Sequence, residues 1–336
     1  MGSNEDGQLG RGDAKDCTVP KQISPDKFNG KKILSVSCGM THTLLIDETS
    51  TVWGFGSNEH QQILPVGYVY DSPTVIPFPD LDGRIMSTDC GDNTSYAVSS
   101  EGLVYAWGSN DYGQAGQSPK VNTDIFHPTP LTVDGRMGGE PLTGAVSVSG
   151  GMQMALILMD TGVIMGLGRN GSFQLGMGDP KPTTYENAPV TVMPSWGTRT
   201  PVSISAGQMH SLALMDDGSV YCWGENMVSQ CGTSRHKAVP TPMAVDLRDL
   251  VGNKATIVSA GNQFSMAVDT QGEVYGMGAN TGGNLGLGNN NSASHFTRSL
   301  SGEMRDIVLG LTTRDNTYVI TGYNTTQTEE LWDRRF

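Results

Sequence analysis

Six histidines and five cysteines are the first candidates for chemistry in this chain of 336 residues. His42, His60, His127, His210, His236 and His295 have the side chain that most often serves as general base or metal ligand. They form no H-E-x-x-H pair, and no Ser/His/Asp or Cys/His set occurs at a useful spacing. Cys17, Cys38, Cys90, Cys222 and Cys231 include no C-x-x-C, so they read as small buried hydrophobes in a reducing compartment. Asp47, Asp160, Asp216, Asp217 and Asp269 sit beside hairpin turns, where a carboxylate suits the local backbone, and are spread too widely to bind a metal together. G-M-G-D and G-L-G-N lack the strand-to-helix context that a phosphate loop requires. The expectation is a chain that is no enzyme, with no catalytic residue, no cofactor and no metal.

The elements that carry these residues explain why they recur. Ser203–Asn226 reads as two short apolar strands around a D-D-G turn, with Gly207 before them and Gly224 after. The same hairpin starts after Gly39, Gly91, Gly151 and Gly261, and in a weaker form after Gly310. In the first five copies a second glycine follows 17 positions later and opens a G-x-N at Asn58, Asn110, Asn170, Asn226 and Asn280. An inserted residue would turn a strand's apolar set to the wrong face, so the spacing is held. His42 and His210 occupy one repeat position, and Cys38 and Cys90 another, which makes them scaffold positions. The asparagines of G-x-N are suited to tying down the loop that follows by side-chain-to-backbone bonds. The links between copies, such as 118–140 and 179–200, vary and are rich in Pro, Thr and Asp, as surface loops are.

A net charge of −13 disfavours direct binding to nucleic acid and permits a basic protein partner. No apolar run is long enough to cross a membrane, and no cleaved secretory signal is visible. Residues 1–10 read as the second half of a repeat, and the copy at Gly310 supplies a first half followed by a strand at Leu331-Trp332. The simplest arrangement is an all-β closed ring of six units, in which the N- and C-terminal segments complete one shared sheet. Alternatively, the start inside a motif marks a truncated chain.

These motifs resemble the repeats of the regulator of chromosome condensation family, V-x-x-V-x-x-G-x-x-H-T-x-x-L followed by G-x-V-Y-x-W-G-x-N-x-x-G-Q-L-G. The strongest copies are Val36–Asn58, Thr88–Gly116, Ser203–Gly232 and Val258–Gly288. The resemblance implies a single β-propeller domain over 1–336, built of four-stranded blades. Seven blades are usual in the family, against the six counted, and 111–144 is where a seventh could hide. Gln61 and Leu64 replace loop glycines in the first full repeat.

In the family's founding member the aspartate of A-G-D-S-H-T lies on the face that engages a Ran-type GTPase. Asp92, in C-G-D-N-T-S, holds that place here. The founding member's β-wedge and basic tail have no counterpart, and neither do the G-W-R-H-T motifs of ultraviolet-sensing members. Trp53, Trp107 and Trp223 keep blade register and read as packing, whereas Trp196 lies on a link and is a candidate anchor for a protein partner. The expected function is a non-enzymatic scaffold in the cytoplasm, with the nucleus as alternative, that uses Asp92 and Trp196 to bind a protein. The alternatives are a guanine-nucleotide exchange factor for a small GTPase and an accessory propeller of a tRNA-modification or tubulin-related complex.

Overall fold

Alternation of short apolar strands with glycine turns produces an all-β chain of repeated antiparallel sheets in the computed structural model. It describes residues 1–79, 81, 83–178, 182–299, 307–312 and 317–321. The first sheet is β1 (Ile33–Cys38), β2 (His42–Asp47), β3 (Val52–Ser57) and β4 (Val69–Val75). The second is β5 (Ile85–Cys90), β6 (Thr94–Ser99), β7 (Val104–Ser109) and β8 (Asp124–Pro130). The third is β9 (Ala145–Gly150), β10 (Met154–Met159), β11 (Ile164–Arg169) and β12 (Tyr185–Thr191). The fourth is β13 (Pro201–Ala206), β14 (His210–Met215), β15 (Val220–Glu225) and β16 (Ala238–Ala244). The fifth is β17 (Ala255–Ala260), β18 (Phe264–Asp269), β19 (Val274–Gly278) and β20 (Ala293–Arg298). A sixth hairpin pairs β21 (Ile307–Thr312) with β22 (Thr317–Thr321). The expected strand at Leu331-Trp332 lies outside the described residues.

The chain divides into two compact units. One holds β1–β12, the other holds residues 172–178 and β13–β22. Within the first unit β1 lies against β5 and β5 against β9; within the second, β13 lies against β17 and β17 against β21. The second strands of the first, second, fourth and fifth sheets are buried along their whole length, on both faces, which is why their sequences read as largely apolar runs. Trp107, Trp223, Tyr96 and Tyr105 are the largest side chains of the interior.

The fixed 17-residue spacing has a steric cause. Gly56 pairs with His42 at φ 112°, and a Cβ there would strike the carbonyl oxygen of Thr41. Gly108, Gly168, Gly224 and Gly278 repeat the geometry against Asn93, Gln153, Met209 and Gln263. The register between third and fourth strands shifts just before each of these glycines. This bulge lets proline-bearing edge strands such as β8 join the sheet.

Two cysteines depart from the expected reduced state. Cys222 and Cys231 are joined by a disulfide with Cα atoms 5.2 Å apart, while Cys17, Cys38 and Cys90 are free. The pairing joins a strand to the loop after it, a geometry that C-x-x-C spacing does not describe. Cys90 is buried as expected, but Cys38 is exposed. Trp196 is also corrected. It is 5% exposed and stands edge-on to Tyr221 at 6.0 Å, so its indole packs on its own unit and offers no anchor to a partner.

Candidate functional site

The loop after each third strand begins with the asparagine of G-x-N, and that side chain holds the loop. Asn58 Nδ2 donates to the carbonyls of Leu64, Val66 and Gly67 at 2.8, 2.8 and 2.9 Å. Its Oδ1 accepts from the amides of Ile63 and Leu64 at 2.8 and 3.0 Å. Asn110 Nδ2 grips Gln117 and Asn122 in the same way, and Asn226 Nδ2 grips Thr233 and His236. All three asparagines are buried, so the loops are fastened from inside.

Four residues beyond the asparagine stands a glutamine whose carbonyl reaches the next sheet. Ser95 Oγ donates to Gln62 O at 2.6 Å, and Ser265 Oγ to Gln230 O at 2.8 Å. His42 Nε2 lies 3.1 Å from Ser95 Oγ, and His210 Nε2 lies 2.9 Å from Ser265 Oγ. Because each serine proton goes to a glutamine carbonyl, each Nε2 is the donor. Burial lowers both histidines to about 4, so they remain neutral at physiological pH. These two histidines are joints between sheets, as their shared repeat position implied.

At the same end of the first unit lie the short connections between first and second strands. Asp92 is in the connection from β5 to β6, partly exposed, and its main-chain carbonyl accepts from Met40 N at 2.9 Å. At the same end, toward the fourth-strand edge of the first sheet, the loop from β3 into β4 carries exposed apolar side chains: Val66 is 66% exposed and Tyr68 76%, with Val69 at the start of β4 50% exposed. His60 at the head of that loop contacts Asp124 of β8 at 3.0 Å. Arg169, at the end of β11, bonds Gln153 at 2.8 Å and stands 5.1 Å over the Tyr112 ring. This end of the unit therefore offers a carboxylate, a cation and an apolar loop, all on backbone that internal bonds hold. Tyr68 and Val66 are not singled out by the sequence, although the missing glycines at Gln61 and Leu64 mark the loop as unlike its relatives.

One further carboxylate departs from the repeat. Asp89 on β5 accepts from Gly150 N at 3.0 Å, as Ser205 does from Ala260 N at 2.9 Å. Burial pushes the Asp89 carboxyl up to about 6, against the bonds from Gly150, Cys90 and Ser149. Among the described residues no group of three His, Cys, Asp or Glu side chains could hold a metal, and no helix is long and apolar enough to cross a membrane.

Repeated four-stranded antiparallel sheets of this kind, each followed by an asparagine-held loop, define an all-β repeat protein. The chain belongs to the RCC1-like domain family, which matches residues 1–257, and an RCC1 repeat matches 255–284. It is 29% identical over 335 aligned residues to the ultraviolet-B receptor UVR8 of Arabidopsis thaliana, covering 85% of this chain and 74% of the receptor. It is 28% identical over 274 residues to the human E3 ubiquitin-protein ligase HERC2, covering 80% of this chain and 5% of the ligase. Human WBSCR16 shares the fold at a TM-score of 0.81 with 23% identity, over 96% of this chain and 81% of that one. Prp20p of Saccharomyces cerevisiae, yeast RCC1, shares it at 0.80 with 20% identity, over 98% of this chain and 79% of that one.

Two expectations are corrected on these likenesses. The reading of the chain as no enzyme is withdrawn, because its fold is that of yeast RCC1, the namesake of the family whose resemblance implies nucleotide exchange. The cytoplasmic placement is withdrawn too, because the chain shares its fold with Prp20p, whose structure was described with its binding to Gsp1p and histones.

Proposed function

We propose that the protein is a nuclear exchange factor of the RCC1 type, which binds a small GTPase through the loop end of its first unit and promotes release of the bound nucleotide. In this reading residues 1–336 form one propeller domain of six units. The observation that carries it is Asp92, which stands where the family resemblance places the GTPase-facing aspartate and is partly exposed on a loop held by the Met40 bond. Such a protein needs no acid–base chemistry. It accelerates release by binding the nucleotide-free GTPase more tightly than the loaded one, since a ligand shifts an equilibrium only by its differential affinity. A rigid surface suits this work, and the loops here are pinned by buried asparagines. Asp92 supplies charge toward the first-strand edge, and Tyr68 with Val66 supplies exposed apolar area toward the fourth-strand edge of the same end. The overall charge of −13 favours encounter with a basic partner surface.

The test is release of a fluorescent guanosine diphosphate from a panel of small GTPases, with a Ran-type member included. The protein is expected to accelerate release from one of them. Asp92→Ala should lower that acceleration by about tenfold or more, equivalent to ~1.4 kcal/mol, with the folded spectrum unchanged. Tyr68→Ser should raise the protein concentration needed for half-maximal effect by about tenfold. Absence of acceleration for every GTPase tested overturns the proposal.

A further inference from the structure

The positions of Cys222 and Cys231 have counterparts in every full repeat. The counterparts are Gly54 with Ile63, Ala106 with Ala115, Gly166 with Leu175 and Gly276 with Leu285. A Cβ built on Gly54 would meet Ile63 at 3.0 Å, and one on Gly276 would meet Leu285 at 2.9 Å. The site is thus a packing contact between the third strand and the G-x-N loop, with room for one large side chain or two small ones. Only the fourth sheet fills it with two cysteines, both fully buried, with Cα atoms 5.2 Å apart. Cys231 N also bonds Asn226 Oδ1 at 2.8 Å, so the cysteine belongs to the segment that fastens the loop. Beyond it runs Ser234-Arg235-His236-Lys237, exposed at all four residues and basic at three in an acidic chain.

We propose that Cys222 and Cys231 are a reversible thiol–disulfide site, oxidised and reduced by a small thiol/disulfide couple, and that its state sets how firmly the basic loop 232–237 is held to the fourth sheet. In the oxidising direction the Cys231 thiolate attacks one sulfur of the co-reactant disulfide and expels the first thiolate. The Cys222 thiolate then attacks the mixed disulfide and expels the second. The two protein thiol protons end on the two leaving thiols, and the two electrons reduce the co-reactant disulfide. Because both sulfurs are buried, exchange runs through local opening of the loop and not through direct access. Cross-linking removes the open states of a short loop, so opening becomes rarer in the oxidised protein.

The experiment equilibrates the full chain in oxidised or reduced glutathione and follows two readouts. Peptide mapping should find the 222–231 pair short of two hydrogens in the oxidised buffer and alkylated in the reduced one, with the exposed Cys38 as reporter of reagent access. Trypsin should cut after Arg235 and Lys237 roughly tenfold more slowly in the oxidised protein. Cys222→Ala with Cys231→Ala, which copies the second sheet, should be cut at one rate in both buffers. If that variant does not fold, Cys222→Gly with Cys231→Leu copies the third sheet and serves the same purpose. A pair that stays open to alkylation in oxidised glutathione overturns the proposal, and so does oxidation that leaves the cutting rate unchanged.

Discussion

The seam between the first and second sheets and the seam between the second and third are built at the same repeat positions with different chemistry. The first carries His42, Ser95 and the Gln62 carbonyl in a chain of hydrogen bonds. The second has Thr94 in place of the histidine and Ala155 in place of the serine, and Thr94 turns to Ser109 O of its own sheet. What crosses the second seam is instead the Asp89 carboxylate, bonded to Gly150 N. The two seams respond to acid in opposite senses. The folded-state value of His42 lies near 4, below the usual 6.5, so its contribution is present above pH 6.5 and is lost as pH falls through 4. That of Asp89 lies near 6, above 3.8, so its contribution is present below pH 3.8 and is lost as pH rises through 6. One fold thus tolerates a buried base that stays neutral at physiological pH and, at the neighbouring joint, a buried acid whose charge burial disfavours.

The largest effect expected from breaking this contrast is His42→Ala. It leaves Ser95 without its donor and opens a cavity, at a cost of about 3 kcal/mol at neutral pH in urea unfolding. The same variant should flatten the loss of stability between pH 6.5 and 4, with His210 retaining its own share. An unchanged acid slope would mean that the histidine seam does not titrate. Asp89→Ser comes next. It copies Ser205, keeps an acceptor for Gly150 N and removes the charge, so stability at pH 7.5 should rise by about 1 kcal/mol. The gain should shrink as pH falls from 6 toward 3.8, and a gain independent of pH would remove Asp89 from the comparison. The smallest change is Ala155→Ser. Its hydroxyl would approach the Gln114 carbonyl, which already accepts from Tyr96 OH at 3.0 Å, so the shift should stay within about 0.5 kcal/mol.

Much of the hairpin lattice was legible in the sequence. Gly56 and its four relatives announce a backbone that no other residue fits, and the strands on either side could be placed from them. The fourth strands were not legible from their own residues. β8 reads D-I-F-H-P-T-P and β16 reads A-V-P-T-P-M-A, sequences that suit loops until an edge position and a bulge make proline harmless. His42 and His210 were placed correctly as scaffold by their repeat position. Trp196 was misread because a link sequence does not disclose that Tyr221 lies beneath it. Nothing in the sequence told Cys222 and Cys231 apart from isolated small residues, because the facing of strand and loop appears only when Gly54/Ile63 and Gly276/Leu285 are seen in contact. Asp92 was marked by resemblance alone, and its partial exposure is a fact of the fold.

The buried asparagines have a consequence for protein engineering. Asn58, Asn110 and Asn226 close their loops through main-chain amides and carbonyls only, and their own amides bond Tyr68 O, Thr123 O and Lys237 O at the far ends. A loop clasped in this way is indifferent to the side chains at its tip. Foreign peptides spliced between Ser118 and Val121 would be displayed on a stiff mount with both clasp points intact, so the same frame could be re-addressed to new targets without redesign of its core.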